Sequence, residues 1–250
     1  MSASATQTVR PLRRRWGRFA PSASLTILAL LAVGVVVLFM TLEARGSWSF
    51  IIPFRGRKVL GMALVGTSIA ASTVMFQTIT NNRILTPSIM GFDALYMLIQ
   101  TCLVFFLGSN RPLQIGVNTK FAVEVLIMMG FSAVLYYFLF VVGQRSLHLL
   151  VLVGIVFGLM IRSFTNLLQR VMDPTEFAVL QDLGFASFNS IDRNLLLISS
   201  VVLVVVLVGM WRMRYTLDLL ALGREMAINL GVNYQRSVMI VLGATTALVA

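Results

Sequence analysis

Carboxylates, thiols and imidazoles are scarce in this chain. Its 250 residues hold nine Asp and Glu, one Cys and one His, against 20 Lys and Arg, for a formal net charge of +11. The lone cysteine, Cys102, lies inside an apolar run, which excludes a disulfide framework and a thiol metal site and leaves a small buried hydrophobe. No cofactor or metal is expected. The lone histidine, His148, reads as an interfacial residue at a span end rather than a ligand or base. There is no G-x-x-x-x-G-K-[ST], so no phosphate cradle of that kind, and neither H-E-x-x-H nor G-x-S-x-G occurs. Charged residues make up only 12% of the chain and hydrophobic ones 58%. That balance excludes a large soluble domain and points to a polytopic, all-α transmembrane bundle. The basic residues are not gathered on one amphipathic helix among exposed aromatics, so nucleic acid is not an expected partner; they fall between apolar runs, as in a membrane protein whose loops carry charge.

About 20 apolar residues cross a hydrocarbon core, and by that measure spans fall near Ser24–Leu42, Val59–Ile79, Ala94–Leu107, Ala122–Val142, Leu147–Leu168 and Leu195–Trp211. A seventh begins at Ser237. Its residues up to Ala250 supply only about 21 Å of helix against a core of about 30 Å, so the expectation is a span that stops short and a truncated chain. Residues 1–23 form a basic tail, with Arg10, Arg13, Arg14, Arg15 and Arg18 directly before the first span, and residues 24–250 the membrane domain. The tail predicts a cytoplasmic N-terminus and is not a cleavable signal. Alternation then places 80–93, 143–146 and 212–236 in the cytoplasm and 43–58, 108–121 and 169–194 outside. The loop "RGSWSFIIPFRGRK" breaks the positive-inside pattern by carrying Arg45, Arg55, Arg57 and Lys58 outward.

Charge inside the spans is rare. Arg162, in the outer half of the fifth, and Glu124, near the outer end of the fourth, are candidates either to line a pathway or to snorkel to the interface. No carboxylate is expected at mid-depth, because Asp93 and Glu124 lie near span ends. That argues against an ion-coupled secondary transporter, the main rival reading, which would use buried carboxylates near the midplane. A membrane enzyme is weaker still, with no nucleophile–base pair in view. "GIVFG", from Gly154 to Gly158, fits a helix-contact motif too common to carry function.

The stretch "TLDLLALGREMAINLGVNYQR", residues 216–236, predicts two short cytoplasmic helices. Leu217, Leu220 and Ala221 share helical spacing in the first, with Gly223 placed to stop it in a left-handed cap. Met226, Ala227 and Leu230 lie on one side of the second, which Gly231 ends. Such a pair fits a groove on another protein; by spacing alone it equally fits an amphipathic loop resting on lipid headgroups.

Within it, "LLALGREMAINLG" resembles the coupling segment of the iron-chelate and cobalamin class of ABC importer permeases, with Glu225, Ala227 and Gly231 at the spacing of their "EAA…G" loop. Residues 55–96 are similar to the second span and following turn of that class, with "N…P…G" at Asn82, Pro87 and Gly91 after a helix holding Gly66, Ala70, Ala71 and Ser72. "LQRVMDPTEFAVLQDLGFASFN" resembles the outward loop of the ferric-siderophore branch. The resemblance implies a ten-span permease fold in a bacterial cytoplasmic membrane and a siderophore cargo. It also implies three partner proteins: a separate ATPase subunit, a periplasmic or lipoprotein siderophore-binding protein, and a second permease subunit. Leu222, Gly223, Glu225, Ala227, Leu230 and Gly231 would meet the ATPase. Arg55, Arg57 and Lys58 would dock the binding protein, or, without the resemblance, bind headgroup phosphates. Gly66, Ser72, Asn82, Pro87 and Gly91 would serve the pathway or helix packing.

Overall fold

Long apolar stretches must satisfy their backbone polar groups within themselves once water is excluded, and helices do so. The computed structural model describes residues 21–42, 47–108, 116–137, 147–184, 188 and 191–249, and the elements among them are helical. The tail 1–20, Arg45, the loop 143–146 and the side chain of His148 lie outside the described residues. In chain order the helices are α1 (Pro21–Thr41), α2 (Trp48–Thr80), α3 (Phe92–Leu107), α4 (Val117–Tyr137), α5 (Leu147–Val171), α6 (Pro174–Gly184), α7 (Arg193–Arg212), α8 (Arg214–Ala221), α9 (Arg224–Asn229) and α10 (Tyr234–Val249), with a 3-10 turn at Pro87–Met90 before α3.

Helices occupy the described residues of the six expected spans, of which 138–142 in the fourth lie outside the description, and the start of the seventh. Among the described residues four stretches are long and apolar enough to cross a membrane: Ala23–Thr41, Trp48–Thr80, Leu152–Val171 and Arg193–Arg212. Two expected loops prove largely helical. The second span starts at Trp48 rather than Val59, because "WSFIIPF" is apolar enough to extend the helix and Ser47 accepts the amides of Phe50 and Ile51 at 3.0 and 3.2 Å. The loop 169–194 contains α6. Asp173 begins it, its carboxylate accepting the Thr175 amide at 2.9 Å and its carbonyl the Phe177 amide at 2.9 Å. Leu180 of α6 is buried with Val104 of α3 and Met172.

The chain divides into two compact units at the Val59–Leu60 boundary, inside α2. In the first, Arg55 of α2 reaches the last turn of α1, donating from one guanidinium nitrogen to the carbonyls of Phe39 and Leu42, both at 2.7 Å. A helix C-terminus leaves carbonyls without intrahelical donors, and a basic side chain satisfies them and complements the helix dipole.

In the second unit the core gathers Met75, Phe76 and Ile79 at the end of α2, Met90, Phe92 and Leu95 around the start of α3, Leu220 of α8, Ala227 of α9, and Val238, Val241 and Leu242 of α10. The link between α4 and α10 includes a buried hydroxyl pair, Ser132 with Thr246, at 2.7 Å. α3 and α5 run parallel: Gly91 meets Gly158, Asp93 meets Arg162, and Gln169 donates to Thr101 at 3.4 Å. α3 therefore begins about halfway along α5, which accounts for its being only 16 residues long. The non-helical backbone before it is tolerated where it packs against protein rather than lipid.

Candidate functional site

α8 and α9 are two short amphipathic pieces packed at the end of the core where α2 stops. Leu220 is 1% and Ala227 0% exposed, so one side chain from each helix anchors the pair to the core. Leu222 at the close of α8, and Met226 and Leu230 one turn apart at α9, are each more than half exposed and make up an exposed apolar strip, with Arg224 and Glu225 exposed beside it. The expected grouping of Met226, Ala227 and Leu230 on one side is thereby corrected. Ala227 points into the core, and its small size lets α9 lie close against it.

The two glycines act differently from one another. Gly231 (φ 84°) is a left-handed stop. The Gly231 amide donates to Ile228 at 2.9 Å and the Val232 amide to Ala227 at 3.0 Å, the paired bonds of a Schellman ending. Gly223 is not the left-handed cap expected of it. Its φ of 97° and ψ of 167° lie in a region almost closed to other residues, and it starts α9, while Leu222 closes α8 in helical conformation.

The turn after α2 braces this pair. Asn81 (φ 50°) adopts the left-handed conformation that ends α2, and its amide nitrogen lies 3.5 Å from the Leu220 carbonyl. Its neighbour Asn82, the asparagine of the "N…P…G" pattern, has a carboxamide oxygen that instead accepts the Ile84 amide at 3.0 Å within the turn. The doubled asparagine after an apolar helix was the available signal for Asn81, since asparagine tolerates left-handed backbone. Pro87 is buried at the start of the 3-10 turn, and Gly91 (φ 85°) ends it. A side-chain carbon on Gly154 would lie 3.0 Å from the Met90 Cα, so the "GIVFG" glycines receive this turn.

Ser72 is buried and its hydroxyl donates to the Ile69 carbonyl at 3.1 Å. Ser72 and Pro87 line a groove of about 510 Å³, together with residues of α4, α7 and α10. Among the described residues nothing lies within 4 Å of a side-chain carbon built on Gly66, whereas one on Gly61 would lie 2.6 Å from Ile191. Of the three basic residues in the first unit, Arg55 is engaged with the end of α1 and Lys58 lies 4.5 Å over the Phe54 ring. Arg57 is the exposed one, its Nε donating to the Pro53 carbonyl at 3.1 Å.

The two span charges part company. The Glu124 side chain is 13% exposed; it accepts from Gln100 at 2.6 Å, which ties α4 to α3, and pairs with Lys120 one turn back in α4 at 3.7 Å. Arg162 pairs with Asp93 at 2.5 Å and both stay exposed. Asp93, expected near a span end, stands instead beside the middle of α5, because α3 starts there. Among the described residues no cluster of three or more His, Cys, Asp or Glu could hold a metal.

An all-helical membrane bundle that presents an anchored amphipathic pair at one end has the form of a transporter's transmembrane domain. The fold agrees with a solved transporter assigned to the metal-chelate ABC type in an inward-facing conformation: TM-score 0.75, 23% identity, 91% of this chain and 74% of that one. Residues 22–250 match the model of the FecCD transport family, and the chain belongs to that family. It is 44% identical over 214 residues to the petrobactin import system permease protein YclO of Bacillus subtilis (strain 168), covering 86% of this chain and 68% of the relative. To the petrobactin import system permease protein FatC of Bacillus anthracis it is 33% identical over 244 residues, covering 95% and 67%. The molybdate import system permease protein MolB of Haemophilus influenzae (strain ATCC 51907 / DSM 11121 / KW20 / Rd) is 29% identical over 119 residues, covering 48% and 33%.

Proposed function

We propose that this chain is the permease subunit of an ABC importer that carries a ferric siderophore across a bacterial cytoplasmic membrane, with its N-terminus in the cytoplasm. The observation that carries the cargo is the 44% identity to a petrobactin import permease over most of the chain. The chelator already coordinates the iron, so the permease needs no iron ligands of its own.

The strip of Leu222, Met226 and Leu230 is the face offered to a separate ATPase subunit. Its anchors Leu220 and Ala227 would pass a push on α9 into the core shared by α2, α3 and α10. Rigid coupling needs such packing, because a close-packed core transmits displacement rather than absorbing it. A second permease subunit would complete the path, and a binding protein would deliver the chelate, with Arg57 contributing to its docking.

The test is uptake of radiolabelled iron as ferric petrobactin by cells that depend on this permease, its binding protein and its ATPase. Uptake should vanish when the ATPase's phosphate-binding lysine is replaced, and should survive collapse of the proton gradient while ATP is maintained. Uptake that follows the proton gradient and ignores the ATPase would sink the proposal in favour of an ion-coupled carrier.

A further inference from the structure

The Arg162–Asp93 pair lies where a membrane protein tolerates charge least, and it is open. α5 has 25 residues, and Arg162 falls three past its central Leu159, roughly 4–5 Å from the midpoint at the helical rise. The side chains of Arg162 and Asp93 are 57% and 53% exposed. The pair is not isolated. Ser163, one residue on, and Asn166, one turn on, are exposed, and Gln169 and Arg170 continue the same side towards the end of α5. The opposite flank carries exposed Met160, Phe164 and Leu167, suited to lipid, while Gly154, Gly158, Ile161 and Thr165 face the core. α5 thus has three faces: one packed, one apolar, and one polar over its second half. Two charges and a carboxamide are costly against hydrocarbon, and such residues in spans ordinarily face an aqueous path.

We propose that this polar face is a wall of the translocation path and that Arg162 is its anion contact, paired with Asp93 at rest and exchanged onto an anionic oxygen of the passing chelate. The inference rests on the siderophore reading above. Strong ferric chelators offer hard anionic oxygens, from catecholates or hydroxycarboxylates, and six such donors outweigh the charge of the ferric ion, so the complex stays anionic. A guanidinium meets paired oxygens through two parallel hydrogen bonds, and a partner carboxylate keeps it oriented between passages. Asp93 also weakens the hold on cargo by competing for the same group, so an anion is contacted without being trapped.

The first test does not depend on the cargo. In the full permease assembled with its ATPase in lipid, with Cys102→Ser as background, Asn166→Cys is exposed to anionic and cationic methanethiosulfonates of similar size. Both should react, and Arg162→Gln on that background should lower the anionic-to-cationic rate ratio by about fivefold or more, as expected for removing one positive charge from beside Asp93 in a focusing cleft. Protection from both reagents in the resting and ATP-bound states would place the face against lipid or a second subunit and overturn the proposal, as would a rate ratio unchanged by Arg162→Gln.

The second test is transport. Arg162→Gln should lower ferric petrobactin uptake about tenfold, the scale of losing one charged contact. The swap Asp93→Arg with Arg162→Asp should recover membrane abundance without uptake. Uptake restored by the swap would mean that the pair only holds α3 against α5, and would overturn the anion contact. If Asn166→Cys on the Cys102→Ser background shows the labelling pattern while the wild-type complex moves no ferric petrobactin, the cargo assignment is refuted instead, because labelling needs no cargo.

Discussion

Gly91 and Gly158 meet backbone to backbone: a side-chain carbon on Gly91 would lie 2.7 Å from the Cα of Gly158, and one on Gly158 would lie 3.1 Å from the Cα of Gly91. Neither neighbour can yield as a flexible side chain would. Gly91 also has φ 85°, which a substituted residue resists on its own account. Gly91→Ala and Gly158→Ala should each destabilise the protein by about 1–3 kcal/mol, the usual cost of overpacking. Gly91→Ala should be the worse because it adds backbone strain. Thermal unfolding in detergent checks this, with Gly66→Ala, where the space is open, as the harmless control.

Arg55 and Arg57 should separate by measurement although both are basic residues on one helix. Arg55→Ala removes the donor for Phe39 and Leu42 at the end of α1 and should cost about 1 kcal/mol, in the range of a hydrogen bond to a charged group near the surface. Arg57→Ala should leave stability within roughly 0.5 kcal/mol, as surface substitutions do. Arg57→Ala should weaken binding-protein association in a way that salt reproduces in the wild type. Unfolding midpoints and association measured across ionic strength distinguish the two; equal stability losses would refute the division of roles.

The carboxyl of Asp173 is held below its usual range, first by the Thr175 hydroxyl at 2.6 Å and then by the Thr175 amide. A folded-state value below the unfolded one means stabilisation is fully present above the ordinary carboxylate range and is lost as pH falls through the lowered value. The start of α6 should therefore fray selectively in mild acid. Amide exchange in α6 between neutral pH and about pH 3 should reveal this. In Asp173→Asn that pH dependence should disappear.

The helical bundle was legible because spans announce themselves by length and apolarity, and α1, α5 and α7 need little more than that. The two short helices were legible too, since Gly231 and the spacings of Leu217, Leu220 and Ala221 in the first and of Met226 and Leu230 in the second mark them. What the sequence hid is relational. Ala227 and Met226 are adjacent small and medium apolar residues, and only the core behind α9 decides which of them turns inward. Asp93 precedes the apolar run Ala94–Leu107, and apolar length alone puts the start of that run at a membrane edge. The backbone between Asn81 and Gly91 instead brings Asp93 beside the middle of α5. Gly154 and Gly158 were discounted as a common motif, yet their partner is a turn rather than a helix, which no periodicity predicts. Trp48 to Phe54 falls in the loop 43–58 when spans are placed by apolar length alone, and helix formation there takes in Pro53 in the second turn.

The division of α9 into an anchor and an outward strip makes opposite predictions for neighbouring residues. Ala227→Leu adds volume where exposure is 0%, and should destabilise by about 1–3 kcal/mol and reduce the amount of permease in the membrane. Met226→Asp places a charge on a surface already exposed to water, so folding and membrane abundance should be nearly unchanged, within roughly 0.5 kcal/mol. Its effect should fall on the complex, because a carboxylate in an apolar interface loses solvation without gaining a partner. Co-purification of the ATPase should drop, and uptake should drop with it. Quantifying membrane abundance, ATPase recovery and iron uptake for both variants separates the two sites. If Met226→Asp retained the ATPase and transported normally, the exposed strip would be a headgroup-facing surface and the coupling face would have to be sought elsewhere.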